Sequence, residues 1–144
     1  MGITPLSIKE GVGNPGLKVA RGIYDFAVDG GAVSTITLMK DTFIPSGATI
    51  IGGWIQVHTA LTSGGAATIA VQVEAANDVL AAVAVASWTT GKKDIVPDLT
   101  GGAALGASAA LETTAARDIS VVIAAVALTA GKFSVVLLYT DPLA

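Results

Sequence analysis

The sequence predicts an all-β fold, an antiparallel β-sandwich of jelly-roll-like kind. Three observations predict it. From Ile23 onward, apolar and polar residues alternate with the period of two that a half-buried strand requires. Turn-forming clusters such as Asp29-Gly30-Gly31, Ile44-Pro45-Ser46-Gly47 and Gly64-Gly65 punctuate that alternation, and no strand–helix–strand rhythm suggests a parallel sheet. The phrase Ala-Leu-Thr-x-Gly occurs twice, at 60–64 and 127–131, each time between runs of strand-forming residues. An immunoglobulin-like sandwich is the other arrangement such spacing allows, but the chain has no cysteine for its inter-sheet bridge.

Residues 1–21 differ from the rest. Pro5, Pro15 and scattered glycines break any period, so the segment reads as an extended N-terminal arm ahead of a sandwich domain spanning 22–144. Ile3, Leu6 and Ile8, with Val12, Leu17 and Val19, give that arm apolar anchors for docking on a neighbour. Next, Tyr24, Phe26 and Val28 alternate with Asp25 and Asp29 along an expected strand. A turn at Asp29-Gly30-Gly31 leads to a return strand carrying Ile36 and Leu38. Ile44–Gly47 fits a type I turn with Pro45 at its second position.

Residues 48–59 and 68–74 then read as a hairpin closed by the first Ala-Leu-Thr copy. Ile69, Val71 and Val73 form its dry face; Thr68, Ala70, Gln72 and Glu74 form its wet one. Residues 77–91 favour a strand through Val83 and Val85, with a short helix over 79–84 as the alternative. Residues 91–116 read as loop with one weak strand near 107–114. The last expected hairpin joins 117–125 to 132–140 through the second Ala-Leu-Thr copy. Val122 and Ala124, and Val136 and Leu138, make it apolar on both faces, and such a strand must be covered on both. Those four residues are the expected contact with another chain.

Composition points the same way. Hydrophobic residues make up 52% of the 144-residue chain and charged residues 13%, about half the usual share. Mean hydropathy is +0.71. A free monomer of this size rarely carries so bare a surface, so self-association is expected. The apolar run Val121–Leu128 is too short to span a bilayer, which needs ~20 residues. Nothing in residues 1–16 reads as a secretory signal, and no membrane association is expected. A net charge of −3 offers no basic field for nucleic acid.

No reaction centre is legible. His58 is the single histidine and sits in an alternating run with Trp54 and Gln56, an ordinary place for a partly exposed strand residue. Gly11–Gly16 matches G-x-G-x-x-G, but Pro15 interrupts it and no helical text follows, so a turn is the better reading. Asp25 and Asp29, four apart on an extended strand, would lie ~13 Å apart, too far for a paired acid and base. Lys92-Lys93 reads as a solvated loop. No metal, cofactor or catalytic residue is assigned. Trp54 and Trp88 read as core, with Trp88 becoming an interface anchor if it faces outward.

The phrases "IYDFAVDGGAVSTITL", "IPSGATIIGGWIQVHTALTSGGAATIAVQVE" and "ALTAGKFSVVLLY" together resemble small structural proteins of tailed bacteriophages. The text is most similar to capsid decoration (cement) proteins, including those of cyanophages, over residues 23–140. The resemblance is one of texture and carries over no site residue. It implies a non-enzymatic β-sandwich of the virion that forms homotrimers on the outer head surface and clamps neighbouring major capsid proteins. Another virion part, such as a tail, neck or fibre protein, is the alternative. A carbohydrate-binding jelly roll is a third reading, poorly served by a 5% aromatic content.

Overall fold

Two antiparallel sheets face each other across a core of aliphatic side chains and three aromatic rings. The computed structural model describes residues 16–38, 43–95 and 111–141. Along the chain the elements are β1 (Leu17–Asp25), a one-turn helix α1 (Phe26–Asp29), β2 (Ser34–Thr37), β3 (Thr49–Ser63), β4 (Thr68–Gln72) and β5 (Leu80–Ala84). A 3₁₀ turn (Val85–Ser87) follows, then β6 (Gly91–Ile95), β7 (Leu111–Glu112), β8 (Ser120–Ala124) and β9 (Leu128–Thr140). The larger sheet runs β1-β9-β3-β6, with β7 also paired to β3; the smaller runs β2-β8-β4-β5.

The expected all-β sandwich is present, but its connections differ from the expected hairpins. β1 and β2 lie in different sheets, and so do β3 and β4, and β8 and β9. The chain crosses the core at each of these turns. Alternating apolar patterns identify strands equally well in either arrangement, since both put every second residue inward.

The repeated phrase shows what the crossings are built on. Neither Ala-Leu-Thr copy is a turn. The first forms the end of β3 and the second the start of β9, and the two pair with each other through Thr62↔Ala130 and Ser63↔Leu128. The Thr62 and Thr129 hydroxyls lie 2.8 Å apart. Leu61 and Leu128 are both buried, closing one end of the core. Gly131, the glycine of the second copy, has φ +138 and sits against Leu61: a Cβ there would lie 2.6 Å from Leu61 Cγ. Gly64, its counterpart, has open space where a Cβ would go.

Tyr24 of β1, Phe133 of β9 and Trp88 stack through the core, with ring centroids 5.2 Å apart for the first pair and 4.8 Å for the second. Tyr24 donates its hydroxyl hydrogen to the Gly30 carbonyl at 2.8 Å. Burial, with the nearby Asp29 and Asp25, pushes its pKa up to about 12.

Local polar bonding accounts for the other departures. β1 ends at Asp25 because that carboxylate accepts from Ala27 N–H, while Asp25 N–H donates to the Asp29 carboxylate. This reciprocal cap winds residues 26–29 into a helical turn where alternation predicts strand. It also draws Asp25 and Asp29 together, correcting the separation expected of an extended chain. The turn after Ile44 sits one residue later than expected. Ala48 N–H donates to Pro45 O, and Gly47, with φ +81, takes the third position, as in a type II turn. The buried Thr113 hydroxyl pins that turn, donating to Pro45 O at 2.6 Å and accepting from Ala48 N–H. Residues 80–84 are strand, as the β-branched positions indicate. Lys92 and Lys93 are strand too, in β6, where loop was expected.

The two glycines of the repeated phrase make a paired test. Gly131→Ala should destabilise by about 1–3 kcal/mol through overpacking, while Gly64→Ala should stay within about 0.5 kcal/mol of the parent. Urea unfolding midpoints of the two variants would show whether the second copy alone is sterically closed.

Candidate interaction surface

Strand alternation gives the larger sheet an inward face and an outward one. Inward go Ala20, Tyr24, Ile55, Val57, Phe133, Val135 and Leu137, all buried. Outward, the register lays residues in rows across β1, β9 and β3: Val19–Leu138–Gly52, then Arg21–Val136–Trp54, then Ile23–Ser134–Gln56. Leu17 is 55% exposed, Val19 59% and Ile23 43%. Ile51, in the bulge between Ile50 and Gly52, is 43% exposed and extends the patch. Trp54 is half-buried, with the Lys92 ammonium 5.8 Å from its ring centroid. Apolar residues around one tryptophan and one arginine match the composition of interface centres.

The outward face of the smaller sheet differs. Its rows read Thr35–Val122–Ala70 and Thr37–Ser120–Gln72, with Thr68 beside Ala124. Hydroxyls and small side chains dominate it.

The sequence-derived contact residues are therefore divided. Val122 and Ala124 are half-buried on the smaller sheet, whereas Val136 and Leu138 face outward from the larger one. The four lie on opposite sides of the sandwich and form no common patch, because β8 and β9 are not a hairpin. Val136 is 8% exposed, flanked by Arg21 and Trp54, so much of the second apolar face of β9 is covered by its own chain. Trp88 is 2% exposed against Phe133 and belongs to the core, not to an outer face. The outward tryptophan is Trp54. Ile3, Leu6 and Ile8 lie outside the described residues. On the larger sheet the exposed apolar side chains are Leu17, Val19 and Ile23 of β1 and Ile51 of β3, with Leu17 and Val19 in the stretch the sequence assigns to the arm; Val28, Val33 and Phe43 are exposed elsewhere.

Polar clusters in the described residues serve the scaffold. His58 is exposed and its Nε2 lies 3.2 Å from Ser134 Oγ, but Ser134 is 3% exposed and has no room to meet a substrate. Asp78 accepts three backbone N–H bonds, from Val73, Glu74 and Ala75, closing the β4–β5 turn. Glu74 then grips Arg117 through two bonds of 2.7 and 2.9 Å and takes further bonds from Thr114. This bidentate pair bolts the β4–β5 turn to the approach to β8. The Arg117 and Thr114 hydrogen bonds lower the Glu74 pKa to about 2, so the carboxylate stays ionised at neutral pH and has no proton to donate. Gly16 leads straight into β1, so the glycine-rich text has no helix N-terminus behind it to hold a phosphate.

No protein-family model matches the chain, and no curated protein matches it. Solved structures do. The same fold occurs in phage capsids. A chain of the "Capsid of Ralstonia phage GP4" superposes with a TM-score of 0.61 at 15% identity, over 90% of this chain and 86% of that one. A chain of the "Cyanophage Pam1 capsid asymmetric unit" gives 0.58 at 20% identity, over 88% and 85%. A chain of the "Acidic stable capsid structure of Helicobacter pylori bacteriophage KHP30" gives 0.58 at 13%, over 88% and 89%. Coverage this complete on both sides means the whole sandwich is shared.

The Glu74–Arg117 bolt has a pH signature. Folding lowers the carboxyl pKa, so its stabilisation is whole above pH 4.5 and drains away as pH falls toward about 2. Acid titration of the unfolding midpoint should show a decline across that window, and Glu74→Gln should flatten it.

Proposed function

We propose that this chain is a structural protein of a tailed-phage virion, a head decoration (cement) protein. It sits on the outer capsid surface as a homotrimer and clamps neighbouring major capsid proteins. The observation that carries this reading is the apolar outward face of the larger sheet, with Leu17, Val19 and Ile23 exposed beside Leu138 and Trp54. A lone domain gains nothing from leaving that face in water. The fold shared with chains of three phage capsids supports a place on the head in preference to the tail, neck or fibre. The strand orders β1-β9-β3-β6 and β2-β8-β4-β5, with successive strands switching sheets, support the jelly-roll reading.

The physics of such a clamp needs no chemistry. Apolar burial contributes about 25 cal/mol per Å², and repetition over a symmetric shell adds avidity because one oligomer grips several sites at once.

Light scattering at micromolar concentration should give three times the monomer mass. Val19→Asp should weaken association about tenfold or more, since it puts a charge where association would bury an exposed valine, a burial worth up to roughly 1.5–3 kcal/mol. It should leave the unfolding midpoint of the isolated chain unchanged. Wild-type protein should also co-sediment with undecorated heads. A parent protein that stays monomeric and ignores heads would defeat the proposal.

A further inference from the structure

β1 is an edge strand whose backbone directions can be read from one bond. It pairs with β9 in unbroken register from Leu17↔Thr140 to Asp25↔Lys132, and no strand among the described residues lies on its other side. Asp25 N–H is given to the Asp29 carboxylate, not to β9. In an antiparallel ladder, N–H and C=O of one residue point the same way, and the direction alternates along the strand. Leu17, Val19, Arg21 and Ile23 therefore turn their backbone groups to the open side, while Lys18, Ala20, Gly22 and Tyr24 hold the ladder with β9. The four that turn outward are all exposed. An edge of this kind is a template for an added strand.

The charges along β1 indicate what such a strand must carry. Lys18 is paired with Asp141 at 3.3 Å and Asp25 with Lys132 at 3.0 Å. Arg21, midway along the edge, is exposed and has no ion-pair partner among the described residues. Its neighbours on the same face, Val19 and Ile23, are exposed and apolar. A base set between apolar residues is best met by an acid set between apolar residues on the facing strand. The described edge strands of this chain supply none. A second β1 brings another Arg21 to the same stretch, β2 and β5 carry no acid, and β6 sets Lys92 and Lys93 ahead of Asp94. We propose that the open edge of β1 docks an extended segment of a different protein, antiparallel, with apolar side chains at alternate positions and a carboxylate opposite Arg21.

The mode is strand addition, in which main-chain bonds supply affinity and alternate side chains supply specificity. β1 is nine residues long, so a segment of matching length reaches all four residues that face the open side. Incoming side chains on the same face as Arg21 come to lie beside Val19 and Ile23, and they widen the apolar outward face that continues through Leu138 and Trp54. No ladder bond has to open, because the bonds to β9 come from the intervening residues. None of this depends on the virion reading, since it concerns the edge of one chain.

The probe is a synthetic peptide of the same length as β1, capped at both ends, alternating valine with threonine and carrying glutamate at its centre. Added to the full chain, it should slow amide hydrogen exchange at Leu17, Val19, Arg21 and Ile23 by about tenfold or more. Lys18, Ala20, Gly22 and Tyr24 should be slow with or without it, a pattern of alternate residues that side-chain contact alone does not produce. A peptide with lysine at its centre should bind about three- to tenfold more weakly, and Arg21→Glu should reverse that preference. Val19→Pro removes one open-side N–H and no ladder bond, a change that edge strands tolerate. It should abolish the peptide's effect, whereas Val19→Ala should keep the alternating pattern. Exchange at the four amides that is slow before peptide is added, unchanged by it, or slowed alike by both peptides overturns the proposal. So does slowing that follows protein concentration alone, which gives the edge to a second copy.

Discussion

The pairing of β3 with β9 is the constraint on which the rest of the sandwich depends. β9 lies between β1 and β3, so every row of the larger sheet passes through it. Its inward residues Phe133, Val135 and Leu137 fill the core, and Phe133 touches both other buried rings. The two Ala-Leu-Thr copies fasten the end of this pairing, with threonine hydroxyls in contact on one side and two leucines buried on the other. A phrase repeated in sequence is here an interaction repeated in space, one copy completing the other. Gly131 makes the fit possible by leaving room for Leu61.

Sequence pattern revealed strands more readily than it revealed sheets. Ile69, Val71 and Val73 are buried while Thr68, Gln72 and Glu74 are not, as the alternation indicates. Ala70 is buried as well, because a methyl group between Val122 and neighbouring strands is covered from the outside too. Sheet membership was not legible, since a turn that returns a strand to its own sheet and one that crosses the core use the same glycines. Phe26 and Val28 alternate like strand residues, yet the Asp25 and Asp29 side chains bond to nearby backbone and wind them into a helical turn. Local polar bonding of this kind carries no period to detect. β6 was missed because Lys92, Lys93 and Asp94 look like loop, although Lys92 lays its ammonium near the Trp54 ring.

The candidate surface was legible in amount but not in place. A low charge content and high hydropathy indicate apolar surface, and Leu17, Val19 and Ile23 are among the apolar side chains exposed. Their location on β1 was hidden by the proline- and glycine-rich text just before them, which made residues 17–21 read as part of an arm. The apolar side chains of β8 and β9 drew attention instead, but Val136 is sheltered by Arg21 and Trp54 once the strands are laid side by side. Shelter by a strand's lateral neighbours depends on pairing, which one strand's text does not contain.

The two outward faces are chemically unequal: threonine, serine and glutamine beside Val122, Ala70 and Ala124 on one, valine, leucine and isoleucine around Arg21 and Trp54 on the other. A particle with two adhesive sides would pile up without limit, each layer presenting the next with a fresh landing site. If the larger sheet's outward face is the one that adheres, as proposed, growth would stop after a single layer and every copy would stand the same way up.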